Sequence, residues 1–347
     1  MSLGKKLLKA SSRFFLVFLC FAAVVATVGF FHFWLFLRLP AKPVPEKKQF
    51  FIPRKTSGYG VARLLASKGV IRDAPEFYLL CLLKHSLGRL QAGEYAFSTL
   101  DRPEQILEKI VEGKVVIYVI TVPAGSTLRQ VAAIVARDDL AGYSQIIAAG
   151  RNAKLAKSLN IKANTLEGYL FPDTYWFKKP VSGAYIVRRM VAQFRHELPA
   201  GWQNREKKLG MNLNQIITMA SMIEKEAKVN HERPIIAGVF YNRLKINMPL
   251  QSDPTAVYDM PGFKGPITPA DLKRNSPYNT YLIKGLPPGP ICNPGEESIL
   301  AALYPAKVPY LYFVSNDNGT HHFSVTSKEQ EKAVLHYYEL KDKADKK

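Results

Sequence analysis

Residues 14–37, FFLVFLCFAAVVATVGFFHFWLFL, run for 24 positions without an acidic or strongly basic side chain. As a helix rising about 1.5 Å per residue, the run would extend roughly 36 Å, enough to cross a hydrocarbon layer of about 30 Å. A secretory signal peptide instead has an apolar region of about 7–15 residues followed by a small-residue cleavage site. This run is longer and ends in the bulky HFWLFLRLP. It is therefore expected to remain as a single-pass anchor, with Trp34 and the flanking basic residues at the membrane interface. Lys5, Lys6, Lys9 and Arg13 precede it without an acidic residue among them, which favours a cytoplasmic tail over 1–13 and the rest of the chain outside. Arg38, Lys42, Lys47 and Lys48 follow and dilute that bias, but a long folded portion translocates regardless of such charge.

At 347 residues the chain has room for two domains beyond the anchor. Its 48 Lys and Arg against 28 Asp and Glu leave +20. That surplus suits nucleic acid, phospholipid headgroups or an acidic polymer, and an external, tethered domain argues against nucleic acid. Of three cysteines, Cys20 falls in the anchor, leaving Cys81 and Cys292 for at most one disulfide. Cys81, in EFYLLCLLKH, reads as a small core hydrophobe. Cys292, in PICNPG, follows a proline turn and has no histidine near it in the sequence.

Residues 38–50, RLPAKPVPEKKQF, are rich in proline and lysine and read as an extended linker. A repeat follows. IPRKTSGYGVARLLAS (52–67) and VPAGSTLRQVAAIVAR (122–137) align without gaps at an offset of 70, sharing Pro53/Pro123, Val61/Val131, Ala62/Ala132 and Ala66/Ala136. Each predicts a short strand ending at proline, a Ser/Thr helix start and an amphipathic helix. Between them, alternation in KVVIYVITV and periodicity in PEQILEKIVEG add strands and a helix. Residues 51–150 are thus expected to form a small α+β module. Its Gly-Ser/Thr-Leu opening resembles LysM-type polysaccharide-binding motifs. Residues 151–347 are expected to form a larger α+β domain, with helices near 184–198 and 212–228 and a loop-rich stretch at 247–297.

The helix MASMIEKEAKVNHERP carries the candidate chemistry. On a helical wheel Ile216, Ala220, Ile223 and Ala227 form an apolar stripe, and Lys225 points away from it. Glu224 and Glu226 fall on opposite borders, too far apart to act as a carboxylate pair. Glu226 has the more apolar border, beside Met219, Met222 and Ile223. Desolvation there would raise its pKa, as a general acid near neutral pH requires. HERPI lacks the second histidine of a zinc-protease helix, Ile235 standing in its place, and no GxSxG, Walker-A or GxGxxG pattern occurs. No metal or cofactor is expected.

Together, MASMIEKEAKVNHERPIIAGVFYNRLKINMPLQSDPTAVY, SPYNTYLIKGLPPGPICNPG, YLYFVSNDNGTHHFS and LEGYLFPDTY closely resemble the YceG-like endolytic murein transglycosylases, bacterial enzymes that cut nascent peptidoglycan strands. The resemblance runs from the anchor to near the C-terminus. It implies that Glu226, the second acid of the E-K-E triplet, is catalytic. It also implies supporting or substrate-binding roles for Glu224, Asn242, Arg243, Gln251, Asp253, Thr255, Tyr278, Asn279, Thr280, Tyr281 and His321. The GLPPGP and YNTY segments would wall a sugar groove, tyrosines stacking on sugar faces and Asn279 meeting N-acetyl groups. Asp253 would raise the acid's pKa if it lies near, or else act as a turn cap before Pro254. One departure is Gln330, where the family commonly has histidine. The implied enzyme is a lytic transglycosylase of the bacterial plasma membrane that leaves 1,6-anhydro-muramic ends. Its implied partners are glycan strands, the membrane and peptidoglycan synthases (penicillin-binding proteins).

Overall fold

The computed structural model describes residues 3–345, and side chains from 15 to 339. The side chains of Lys5, Lys6, Lys9 and Arg13 lie outside the described ones. The chain divides into two compact units, one of residues 1–118 with 178–180, the other of 119–177 with 181–347.

In the first unit, helix α1 (Leu3–Arg38) contains a candidate membrane span, Phe15–Arg38. Strand β1 (Lys47–Ile52), helices α2 (Gly58–Ser67) and α3 (Ala74–Leu83), strand β2 (Gly93–Ser98) and helix α4 (Pro103–Val111) follow. β1 and β2 pair antiparallel, Phe50 opposite Tyr95 and Ile52 opposite Gly93. Their inward faces meet Val61, Leu65, Phe77, Leu80, Ile106 and Ile110 in one apolar core, which also takes in Phe36 from the end of α1. The helix starts follow from local chemistry. The Ser57 hydroxyl accepts the Gly60 N–H and the Asp73 carboxylate accepts the Glu76 N–H, meeting donors that have no partner inside a helix.

The stretch expected as an extended linker is tied down. The Lys42 N–H donates to the Thr99 carbonyl (3.3 Å), the Thr99 hydroxyl donates to the Val44 carbonyl (2.7 Å) and accepts the Glu46 N–H (2.8 Å), and residues 47–50 already belong to β1. Prolines stiffen this segment, and these hydrogen bonds replace the water that an extended linker would need.

The second unit begins within β3 (Ile117–Thr121) and continues through α5 (Leu128–Arg137), α6 (Tyr143–Gly150), α7 (Ala153–Ser158), β4 (Thr174–Lys178) and α8 (Gly183–Glu197). Then come α9 (Trp202–Leu209), α10 (Leu213–Glu226), α11 (Arg233–Lys245), α12 (Asp253–Val257), α13 (Glu296–Leu303), β5 (Tyr312–Ser315), β6 (His321–Ser324) and α14 (Ser327–Asp345). β3 pairs with β4, and β5 with β6. The repeat is real at the level of elements, because α2 and α5 start and end 70 residues apart (58 and 128, 67 and 137). Yet the chain divides at 118, inside the stretch expected as one LysM-like module, and α5 belongs to the larger unit.

α10 departs from the expected amphipathic helix. Every residue from Ile216 to Ile223 is buried, Thr218 and Ser221 included. α10 packs against α11, α12 and α13, so it is the central helix of its unit rather than a surface helix with one covered stripe. Thr218 and Ser221 tolerate burial because their hydroxyls donate to the carbonyls of Asn214 and Thr218.

Candidate active site

α10 begins with a reciprocal cap. Asn212 accepts the Gln215 N–H, and the Gln215 side chain accepts the Asn212 N–H. The helix ends at Glu226, where Ala227 turns extended. The Ser252 hydroxyl, just ahead of α12, donates to Glu226 Oε1 at 2.5 Å. Among the described residues Glu226 Oε2 has no hydrogen-bond partner, and the side chain keeps partial exposure. Burial pushes the Glu226 carboxyl up to about 7, the Asp253 charge adds to that rise, and the Ser252 bond and Arg243 oppose it. The acid is therefore poised near neutrality, half-buried, with one oxygen held and the other free.

Ser252 is fixed by a lattice of short bonds. Arg243, buried on α11, donates from Nη1 to the Leu250 carbonyl and from Nε to the Leu311 carbonyl, both at 2.6 Å. The Gln251 N–H donates to the Thr280 carbonyl, and the Ser252 N–H to the Thr280 hydroxyl. The Thr255 hydroxyl donates to the Ser252 carbonyl and lies 2.8 Å from the Thr280 hydroxyl. Gln251 takes a left-handed conformation, φ 50°, a strained choice for a non-glycine residue that this network sustains.

The residues expected at the site thus separate by role. Arg243 and Asp253 bear on the Glu226 charge, and the Asp253 carboxylate accepts the Tyr281 hydroxyl at 2.5 Å. Thr255 and Thr280 build the loop. Asn279, expected to meet N-acetyl groups, is wholly buried. Its amide donates to the Leu272 and Arg274 carbonyls and its oxygen accepts the Tyr281 N–H, so it shapes the YNTY turn from inside. Asn242 donates to the Val308 and Tyr310 carbonyls. Glu224 pairs with Arg233 at 3.2 Å and accepts the Gly295 N–H at 3.0 Å, joining α10 to the starts of α11 and α13. His321 contacts the buried Glu232 through Nδ1 at 2.7 Å and through its backbone N–H, tying β6 to the start of α11. Tyr278 packs on Tyr258, ring centroids 4.7 Å apart. Gln330 donates to the Phe313 carbonyl. The Gly285–Pro288 turn walls a cavity of about 820 Å³ with Asn214, Thr218, Tyr241 and Leu244, and Glu226 is not among its lining residues.

Three side chains escaped the sequence reading. Ser252, beside Asp253 in LQSDPT, carried no period or spacing to mark it. Glu167, in LEGYLFPDTY, is fully enclosed. It accepts the Leu128 N–H at the start of α5, the Tyr258 hydroxyl and the Asn293 amide. Burial lifts it to about 7, against the pull of the Leu128 and Tyr258 bonds. Glu232 hides within the HERP stretch. Cys81 and Cys292 are both free and buried, one in each unit.

The model of the YceG-like family matches residues 50–336. An endolytic murein transglycosylase of Bacillus subtilis is 37% identical over 308 residues, spanning 84% of this chain and 85% of that protein. One of Streptococcus pneumoniae is 28% identical over 339 residues, spanning 87% of this chain and 61% of its own length. The crystal structure of a YceG-like protein from Listeria monocytogenes superposes with a TM-score of 0.57 at 37% identity, covering 83% of this chain and 99% of that one.

Proposed function

The chain belongs to the YceG-like family, and from that premise we propose that it is a membrane-anchored endolytic murein transglycosylase with Glu226 as its single acid–base group. The observation that carries this reading is the state of Glu226. Its carboxyl is poised near 7, one oxygen accepts the Ser252 hydroxyl, and the other is unengaged. A protonated Glu226 donates its proton to the oxygen linking N-acetylmuramic acid to the next sugar. The C1–O bond breaks through an oxocarbenium-like transition state, and the carboxylate left behind is steadied by Ser252 and Arg243. It then takes the proton of the muramic C6 hydroxyl while O6 bonds to C1. The ring closes as a 1,6-anhydro sugar and Glu226 is protonated again. No water is consumed and no carboxylate nucleophile is needed, unlike ordinary glycoside hydrolysis. Asp253, exposed and bonded to Tyr281, assists only through its charge.

The anchor reading rests on the length of the Phe15–Arg38 span and on the burial of Phe36 in the first unit's core, since cleavage after the span would remove a core side chain. It includes a cytoplasmic N-terminus, catalysis outside the plasma membrane, glycan binding by the LysM-like 51–150 segment and association with penicillin-binding proteins. The test is product analysis by mass spectrometry after incubation with long, uncrosslinked glycan strands. New internal ends lighter by one water than hydrolytic ends support the mechanism. Predominantly reducing muramic ends would refute it while sparing the site.

A further inference from the structure

The first unit leaves one apolar face uncovered beside the candidate span. α3 is apolar almost throughout, APEFYLLCLL. Phe77, Leu80 and Cys81 enter the core, while on the opposite side Leu79, Leu82 and Leu83 stay 42%, 43% and 59% exposed. In water, a helix packed on one face normally turns polar residues outward. Here the outward residues are leucines, and His85, Gly88 and Arg89 lie exposed just beyond the helix with Lys84, which pairs with Glu104.

The position of this face along α1 identifies what covers it. Glu76, in the first turn of α3, contacts the ring of His32, which lies inside the span. His32 precedes the span's last residue, Arg38, by six positions, so the contact falls about 9 Å inside that end at about 1.5 Å per residue. Phe33, Phe36 and Leu37 pack into or against the unit's core, so the unit is seated on the last turns of the span rather than hung beyond them. Trp34, with Arg38 over its ring at 5.7 Å, marks the same end as an aromatic and basic membrane boundary. Amphipathic helices that lie in a membrane surface sink about 5–10 Å into the boundary between headgroups and acyl chains, the depth this contact imposes.

We propose that α3 is an interfacial membrane helix, with Leu79, Leu82 and Leu83 immersed in the leaflet from which α1 emerges and the basic residues after it among the lipid headgroups. It would seat the first unit flat on the bilayer. The inference rests on the anchor reading above, and its test separates the two.

The full chain, with Cys20→Ala and the buried Cys81 and Cys292 kept, is reconstituted in vesicles of phosphatidylethanolamine and phosphatidylglycerol. Nitroxide labels are placed singly at Leu79→Cys, Leu83→Cys, Phe21→Cys and the exposed Glu112→Cys. All four positions face outward, so the variants should fold. Power saturation then compares collision with oxygen, which concentrates in lipid, and with a water-soluble nickel chelate. Labels at Leu79 and Leu83 should favour oxygen and meet the chelate severalfold less often than the label at Glu112. Chelate access equal to that at Glu112 would overturn the proposal, as would shielding from both probes, because protein rather than lipid would then cover the face. If the label at Phe21 is itself open to the chelate, or alkaline carbonate strips the chain from the vesicles, the anchor reading fails first. If Phe21 remains in lipid while Leu83 is in water, α3 alone is refuted.

Discussion

Glu226, the proposed acid, is joined to Ser252 by one short hydrogen bond. Glu226→Gln keeps the size and the acceptor for Ser252 but cannot donate and recover a proton, so anhydro product should fall to background while circular dichroism stays unchanged. Residual wild-type turnover would move the acid elsewhere. Ser252→Ala removes a bond that lowers the Glu226 pKa. The alkaline limb of the pH–rate profile should therefore lie at higher pH than in the wild type, and the maximal rate should drop about tenfold, the equivalent of about 1.4 kcal/mol for one hydrogen bond to a charged group. A limb that stays or moves down would separate Ser252 from the acid. The same carboxyl also affects stability. Its pKa is about 7 when folded, against an ordinary 4.5, so folding favours the protonated form. The stability associated with that proton is full below about 4.5 and is lost as pH rises through 7. Glu226→Gln has no such loss. The variant should match the wild type in denaturant titrations at pH 4.5 and exceed it by at most about 3 kcal/mol at pH 8.

Among the elements, α10 and α12 do most to place the site. α10 is the helix around which α11, α12 and α13 gather, and α12 is five residues long with a carboxylate site at each end, Glu226 beside Ser252 and Glu167 beside Tyr258. Asn293 joins the second of these to its surroundings. Its side-chain oxygen accepts the N–H groups of Gly168 and Leu170, and its amide reaches the Ser126 carbonyl and Glu167. Gly168 itself has φ +88°, and a Cβ there would stand 2.5 Å from Pro290 and 2.9 Å from Ile217. Gly168→Ala should therefore combine an unfavourable backbone with overpacking against α10 and destabilise by about 3 kcal/mol. Thermal unfolding would reveal this, and a change below about 0.5 kcal/mol would mean that the contact is loose.

For the molecule as a whole, the division at 118 sets where the chain can be cut. Removing residues 1–118 leaves the second unit with Ser126, Leu128 and their bonds to Asn293 and Glu167. That truncation should still release anhydro ends from isolated strands in solution. Extending the cut to residue 150 removes α5 and α6, opens the enclosure of Glu167 and should abolish both cooperative unfolding and turnover. Equal activity of the two truncations would show that α5 contributes nothing to the activity of the second unit.

The candidate span, the caps of α2 and α5, the strand–helix repeat and the candidacy of Glu226 could all be read along the chain. Each depends on residues a few positions apart, where hydropathy, period and capping chemistry act directly. The wheel puts Glu226 on the more apolar border, and in the fold Glu224 is engaged by Arg233 and the Gly295 N–H. The wheel did not anticipate that α10 is buried all round. A helical period tells which way a side chain faces from its own axis, but not how many other elements close around it. Ser252 meets Glu226 from 26 residues away, and Asn293 meets Glu167 across 126. The wholly buried amide of Asn279 likewise became a scaffold instead of a sugar contact only once the turn had folded over it. Desolvation and hydrogen bonding depend on every neighbour in space, so the near-neutral pKa of Glu226 and the partner that holds it are properties of the assembled core.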